Sequence, residues 1–202
     1  MGGYSPWDLE MARMGYLVLQ YDASVDQSPD LHQNIIFHKK FVGTQNDQQT
    51  ITLEQIMQDY HFDPSAHNIL QVDIEGTEWD IFEKLDLPTL EKYFAQIIVE
   101  FHECDPRAAS QLHRHLAVLE KLHQAFQPIH AHCHACAFGP IHYVKDRFFT
   151  NNIEVSYARR DLLPEGTVLR DICGDIAGLD YPTMFPGDLK STLFPSIPIY
   201  FT

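Results

Sequence analysis

Three observations predict an α/β sandwich built on a largely parallel sheet. Short apolar runs, "LVLQYD", "NILQVDIEG", "QIIVEFHE" and "NIEVSYAR", recur along the chain. Segments with apolar residues at helical spacing stand between them, and strands separated by helices imply right-handed crossovers that leave the strands parallel and both sheet faces covered. Acids also gather at the ends of those runs, where an open parallel sheet turns its loops toward a ligand.

The elements follow in order. Ser5-Pro6-Trp7-Asp8 offers a cap, a proline for the first helical position and an acid for the first turn, and Gly15 ends that helix. "YLVLQYD" reads as a strand and "NIIFHKKFVG" as the next one. Thr52 caps the helix "LEQIMQDY", "NILQVDIEG" returns to strand and "TEWDIFEKL" to helix. Trp79 and Phe82 are expected in the core of that short helix. "QIIVEFHE" is a buried strand. Residues 108–126 form an amphipathic helix with Leu112, Leu116, Leu119 and Leu122 inward and Arg114, His115 and Lys121 on its wet side. Two final strands, "PIHAHCHA" and "NIEVSYAR", flank a loop with Gly139-Pro140. From Leu162 onward prolines and glycines predict an irregular tail. One domain over 1–202 is expected, with an α/β core over 1–161 and the tail over 162–202. A chain of this size, 45% hydrophobic, buries roughly 70% of its unfolded surface.

Composition narrows the function. With 14 Lys+Arg against 28 Asp+Glu the formal charge is −14, which repels phosphate backbones and anionic membranes, so no nucleic-acid partner is expected. Four cysteines and no basic-then-apolar leader point to a reducing cytoplasm, and no run nears the ~20 apolar residues of a membrane span.

The chemistry-bearing residues lie at strand ends. Asp22 closes "LVLQYD", where a carboxylate's two acceptor oxygens match a ribose diol. Asp73 and Glu75 close "ILQVDIE", and Glu100 and His102 close "IIVEFH". Glu100 interrupts an apolar strand and must pair or face the crevice. In "HAHCHAC", His130, His132 and His134 share one face of a strand with Cys133 on the other, and Cys136 follows. That face suits zinc or sheet hydrogen bonding, while His102 or His132 suits a near-neutral proton acceptor. Asp73, Glu75 and Glu100 together could hold magnesium, but no residue is assigned to a metal.

Four blocks, "WDLEMARMGYLVLQYDAS", "ILQVDIEGTEWDIF", "QIIVEFHE" and the pair "IHAHCHAC" with "NNIEVSYARRD", give the chain a resemblance to the FkbM-like S-adenosylmethionine-dependent methyltransferases. "VDIEGTEW" is the most specific, resembling the family's Asp-[Val/Ile]-Glu-Gly-x-Glu signature. The resemblance implies a Rossmann-like class I methyltransferase sandwich of seven strands, mostly parallel with the last antiparallel, and transfer of a methyl group to a hydroxyl oxygen. It implies that Asp22 holds the cofactor's ribose, that Asp73 and Glu75 line the pocket between cofactor and acceptor, and that Gly76 starts the helix close to the backbone. Glu78 is expected to face solvent or cap the helix. The family's glycine-rich first strand and loop fall where only Gly2 and Gly3 stand. These two are the candidates for contact with the cofactor's methionine portion, and the sheet is expected to lack its first strand. The expected activity is S-adenosylmethionine-dependent O-methylation of a small molecule or glycan, with Asp73, Glu75, His102 and His132 as catalytic candidates. The alternative is an inactive methyltransferase-like binding domain. Metal-dependent hydrolysis on the histidine face is a weaker third reading, because it leaves "VDIEGTEW" without a role.

Overall fold

A computed structural model of the chain describes residues 6–133 and 142–168. Gly2, Gly3, His134, Cys136, Gly139, Pro140 and the tail from 169 onward lie outside the described residues, as does the side chain of Cys133. The chain divides into two units, Met1–Phe62 and Asp63–Thr202.

In the first unit, α1 (Pro6–Arg13) has Pro6 at its first position and Asp8 in its first turn, and ends before Gly15, whose φ of 99° only glycine adopts without strain. Asp8 is buried and accepts a hydrogen bond from Gln20 Nε2 at 2.7 Å. Gln20 lies on β1 (Val18–Tyr21), which runs parallel to β2 (Ile35–His38) with Val18 opposite Ile35. The single strand expected over "NIIFHKKFVG" is two strands. Lys40 N turns back to His38 O at 2.8 Å, which ends the run at His38, and the Lys39 ammonium pairs with Asp26 at 2.5 Å. The run resumes as β3 (Phe41–Gly43), in a separate parallel pair with β4 (Thr50–Thr52), a strand the sequence does not suggest. Gly43 is required by that approach, because a Cβ there would stand 2.7 Å from Thr50 Cγ2. Thr52 caps α2 (Leu53–Asp59) as expected, its Oγ1 accepting from Gln55 N at 3.2 Å.

The second unit holds β5 (Ile69–Val72), α3 (Glu78–Lys84), α4 (Leu87–Tyr93), β6 (Gln96–Phe101), α5 (Ala109–Ala125), β7 (Phe126–Cys133), β8 (His142–Val144), β9 (Arg147–Phe149) and β10 (Ile153–Arg159). The sheet order is β5-β6-β10-β7. β5 is parallel to β6, and β10 is antiparallel to both β6 and β7, so three of four strands run one way and the last is reversed, as expected. The hairpin β8–β9 occupies part of the stretch expected to be a loop. α4 is a further element beyond those expected, although the sequence carries its signal: Asp86 caps it through Thr89 N, with Pro88 in the first turn.

Ile97, Val99 and Phe101 of β6 are almost wholly buried, as are Trp79, Ile81 and Phe82 of α3 and Val118 and Leu122 of α5; Phe101 packs against Trp79 and Phe82, and α3 packs on α5. Trp79 and Phe82 are core residues, as expected. The buried stripe of α5 is rotated from the expected one. It runs through His115, Val118, Leu122 and Ala125, while Leu116 is exposed. His115, expected on the wet side, is drawn inward by stacking on Trp79 with ring centroids 3.8 Å apart. No helix among the described residues is long and apolar enough to cross a membrane.

Candidate functional site

The candidate site lies at the carboxyl ends of β5 and β6. β5 stops at Val72, and Asp73-Ile74-Glu75-Gly76-Thr77 carries the chain into α3. Glu75 has φ 56°, Gly76 φ 106°, and Glu103 just beyond β6 has φ 57°. Two left-handed non-glycine residues, each costing on the order of 1 kcal/mol or more, thus flank one spot, a kind of strain that clusters at working sites.

Glu78 binds the two strand ends together. Its Oε2 accepts from Gly76 N at 2.8 Å, and its Oε1 accepts from His102 N at 2.6 Å and meets His102 Nδ1 at 3.1 Å. The expectation that Glu78 faces solvent or caps the helix is therefore corrected. The residue is wholly buried, and α3 has no side-chain cap. Three donors compensate the carboxylate for the water it has lost. The signal is legible in part, since Glu78 stands three, four and seven residues before Ile81, Phe82 and Leu85, on the stripe that faces the core.

These contacts orient His102. An ionised carboxylate has no proton to give, so the Nδ1 contact with Glu78 places the hydrogen on Nδ1 and, in the neutral ring, the lone pair on Nε2. His102 O accepts from Trp79 Nε1 at 2.7 Å. The ring is buried, with Nε2 directed at three carboxylates: Glu75 Oε2 and Glu100 Oε1 at 3.5 Å each, and Asp73 Oδ1 at 3.9 Å. Glu100 is held by Asn152 Nδ2, which donates to its Oε1 at 3.0 Å; sequence reasoning misses Asn152 because nothing local marks it. Glu100 therefore both pairs and faces the cluster, the two outcomes its place in an apolar strand allowed.

Burial raises the Asp73 carboxyl pKa above the ordinary value, although its tip opens to solvent. The negative charges of Glu75 and Glu78 act in the same direction, and His102 opposes them. A raised folded pKa means that the fold favours the neutral form. The stability this gives is fully present below the ordinary aspartate pKa of ~3.9 and is lost as pH rises through the folded value, so ionised Asp73 opposes folding at neutral pH. Asp73→Asn is expected to raise the urea midpoint at pH 7, with the gain shrinking as pH falls toward about 4. A variant less stable than the parent at pH 7 would contradict this.

Of the other candidates, two belong to the second unit and one to the first. His132 is on β7, with Nδ1 3.5 Å from Glu154 Oε2. Glu154 on β10 is opposite both His132 and Glu100, so β10 separates His132 from β6. His130 lies on the same face of β7, two residues away. Asp22 belongs to the first unit. It is buried just past β1, and its Oδ1 accepts from both Ser24 N at 2.7 Å and Ser24 Oγ at 2.6 Å. A ribose diol would compete with the Ser24 hydroxyl for that oxygen.

Among the described residues, Asp73, Glu75 and His102 offer ligand atoms that all lie within 4.8 Å of one another. No curated protein and no solved structure matches the chain. The family model described as the methyltransferase FkbM domain does match it, over residues 14–127, more than half of its length and including β1, α3, β6 and the whole Asp73–Glu78–His102 cluster. The chain belongs to the FkbM methyltransferase family.

Proposed function

We propose that the protein is an S-adenosylmethionine-dependent methyltransferase that methylates a hydroxyl oxygen of a small molecule or glycan, as one cytoplasmic domain of Rossmann-like class I architecture without a nucleic-acid partner. The antiparallel last strand between two codirectional ones supports the architecture. The observation that carries the function is the cluster at the ends of β5 and β6, inside the family match. It presents three carboxylates and one imidazole lone pair, all acceptors, with no donor among them. A hydroxyl group supplies the donor such a site lacks.

When bound, the cofactor supplies an electrophilic methyl group on a sulfonium. The protein's part is to hold the acceptor oxygen in line with it and to receive one proton. His102 Nε2 is oriented for this by Glu78, and Asp73 and Glu75 border the acceptor and fix the hydroxyl's direction. Of the two histidines suggested by the sequence, His102 takes this role, and His132 stands across β10. Asp22 is the group assigned to the ribose, and the fit is supported by its burial at a strand's carboxyl end.

Calorimetric titration with S-adenosylmethionine and with its demethylated product tests the proposal. Saturable binding is expected, and Asp22→Ala should weaken it by about 1.5 to 3 kcal/mol, the range for a hydrogen bond to a charged group. Absence of heat with a folded protein would refute the proposal and leave a domain without this cofactor. Unchanged affinity in Asp22→Ala would remove only the ribose assignment.

A further inference from the structure

The cluster has a feature that hydroxyl binding alone does not explain. His102 Nε2 makes no hydrogen bond among the described residues, although the side chain is only 9% exposed. Its neighbours stand at 3.5, 3.5 and 3.9 Å, too far or too poorly aligned for direct bonds, and every one is a carboxylate oxygen. Lone pairs facing one another across such gaps repel unless a positive centre lies among them, either a proton on Nε2 or a bound ion. The spacing suits an ion: ligands ~2.0 to 2.2 Å from a four-coordinate metal stand about 3.3 to 3.6 Å from each other. Two of the three separations already fall there. The ligand atoms of Asp73, Glu75 and His102 all lie within 4.8 Å of one another, and the Asp73 and Glu75 side chains, 42% and 82% exposed, have room to close on an ion.

We propose that Asp73, Glu75 and His102 bind a divalent first-row cation such as manganese or zinc, with Glu100 adding negative charge beside it. The surrounding groups are those such a site needs. The buried Glu78 carboxylate holds the far ring nitrogen of the ligating histidine, and Asn152 holds Glu100. One imidazole among carboxylates suits manganese or zinc, whereas calcium takes an all-oxygen shell and has no use for the nitrogen. The role of the ion in turnover rests on the methyltransfer reading. An acceptor hydroxyl coordinated to it would lose its proton more readily, and with His102 acting as ligand that proton would pass to a neighbouring carboxylate. Binding of the ion does not depend on that reading.

Manganese alone is the probe, added to the full chain and followed by loss of the electron paramagnetic resonance signal of the free aqueous ion. One saturable site per chain is expected, with zinc competing for it. Asp73→Asn and His102→Gln should each weaken it at least about tenfold, and Glu78→Gln by about 10 to 100-fold, the usual effect of altering a group behind a metal ligand. Asp73→Asn alters a partly exposed side chain and keeps the test valid should the variants at the buried positions fail to fold. No saturable binding, or unchanged affinity in a folded Asp73→Asn protein, overturns the cation site. Cofactor heat without manganese binding overturns the cation site alone, and manganese binding without cofactor heat overturns the methyltransfer reading alone.

Discussion

Glu78→Ala is expected to lower the unfolding free energy by about 3 kcal/mol or more, because it strands several buried donors at once. The reason is local. Glu78 accepts from two backbone N–H groups and faces the His102 ring, all in a region closed to water. Alanine leaves those donors unpaired at ~1 to 3 kcal/mol each and adds a cavity. Glu78→Gln should cost less, because one oxygen still serves His102 while the amide now faces the Gly76 N–H as donor against donor. Urea denaturation of the three proteins at neutral pH provides the comparison. The order parent, Gln, Ala in falling stability is expected, and an alanine variant within about 1 kcal/mol of the parent would show that water reaches these groups.

The buried glutamate also shows where sequence reading succeeds and where it stops. Strand ends at Asp22, Asp73 and Glu100 are legible because an apolar run that closes on an acid marks the point where a buried strand of an α/β chain emerges into its loop. Thr52 and Gly15 are legible because capping is local chemistry. The inward turn of Glu78 is legible only in part: its spacing to Ile81, Phe82 and Leu85 puts it on the core stripe, but a carboxylate in a first helical turn is ordinarily a solvated group favoured by the helix dipole. His102 just past β6, more than twenty residues away, supplies two of the three donors that reverse that preference. His115 departs from expectation for a similar reason. Four leucines at helical spacing outweigh one histidine in any local count, yet the partner that decides the helix's rotation is Trp79 on another element. The break after His38 reflects the limit of reading "NIIFHKKFVG" as continuous: the lysines bond elsewhere, and the second half pairs with a three-residue strand too short to leave a periodic mark. His102 is a candidate from its place at a strand end, but its separation from His132 requires the order in which β10 inserts between β6 and β7.

Trp79→Ala is expected to cost about 3 to 5 kcal/mol, the usual loss for emptying a tryptophan site in a core. Trp79 lies between Phe101, with centroids 4.3 Å apart, and His115 at 3.8 Å, and is 2% exposed. Burial and the neighbouring Arg114 charge lower the pKa of His115, opposed by Glu103 and Glu78, so the ring stacks in its neutral form. That depressed pKa gives stability that is present above the ordinary histidine range and is lost as pH falls through the folded value. The more informative variant is Trp79→Phe. It retains an aromatic ring between the two partners but removes the Nε1 donor to His102 O, a loss of about 0.5 to 1.5 kcal/mol if the carbonyl finds water and more if it does not. Stability and site geometry should then separate. The phenylalanine variant stays folded on the β6–β10 ladder, while His102 keeps its Glu78 contacts but loses the anchor on its carbonyl, so the position of the ring relaxes. Nitrogen-15 spectra of the imidazole report this directly: one sharp pair of ring signals is expected in the parent, and shifted or broadened signals in Trp79→Phe. Identical His102 signals in the two proteins would show that Trp79 supports the core but does not position the site.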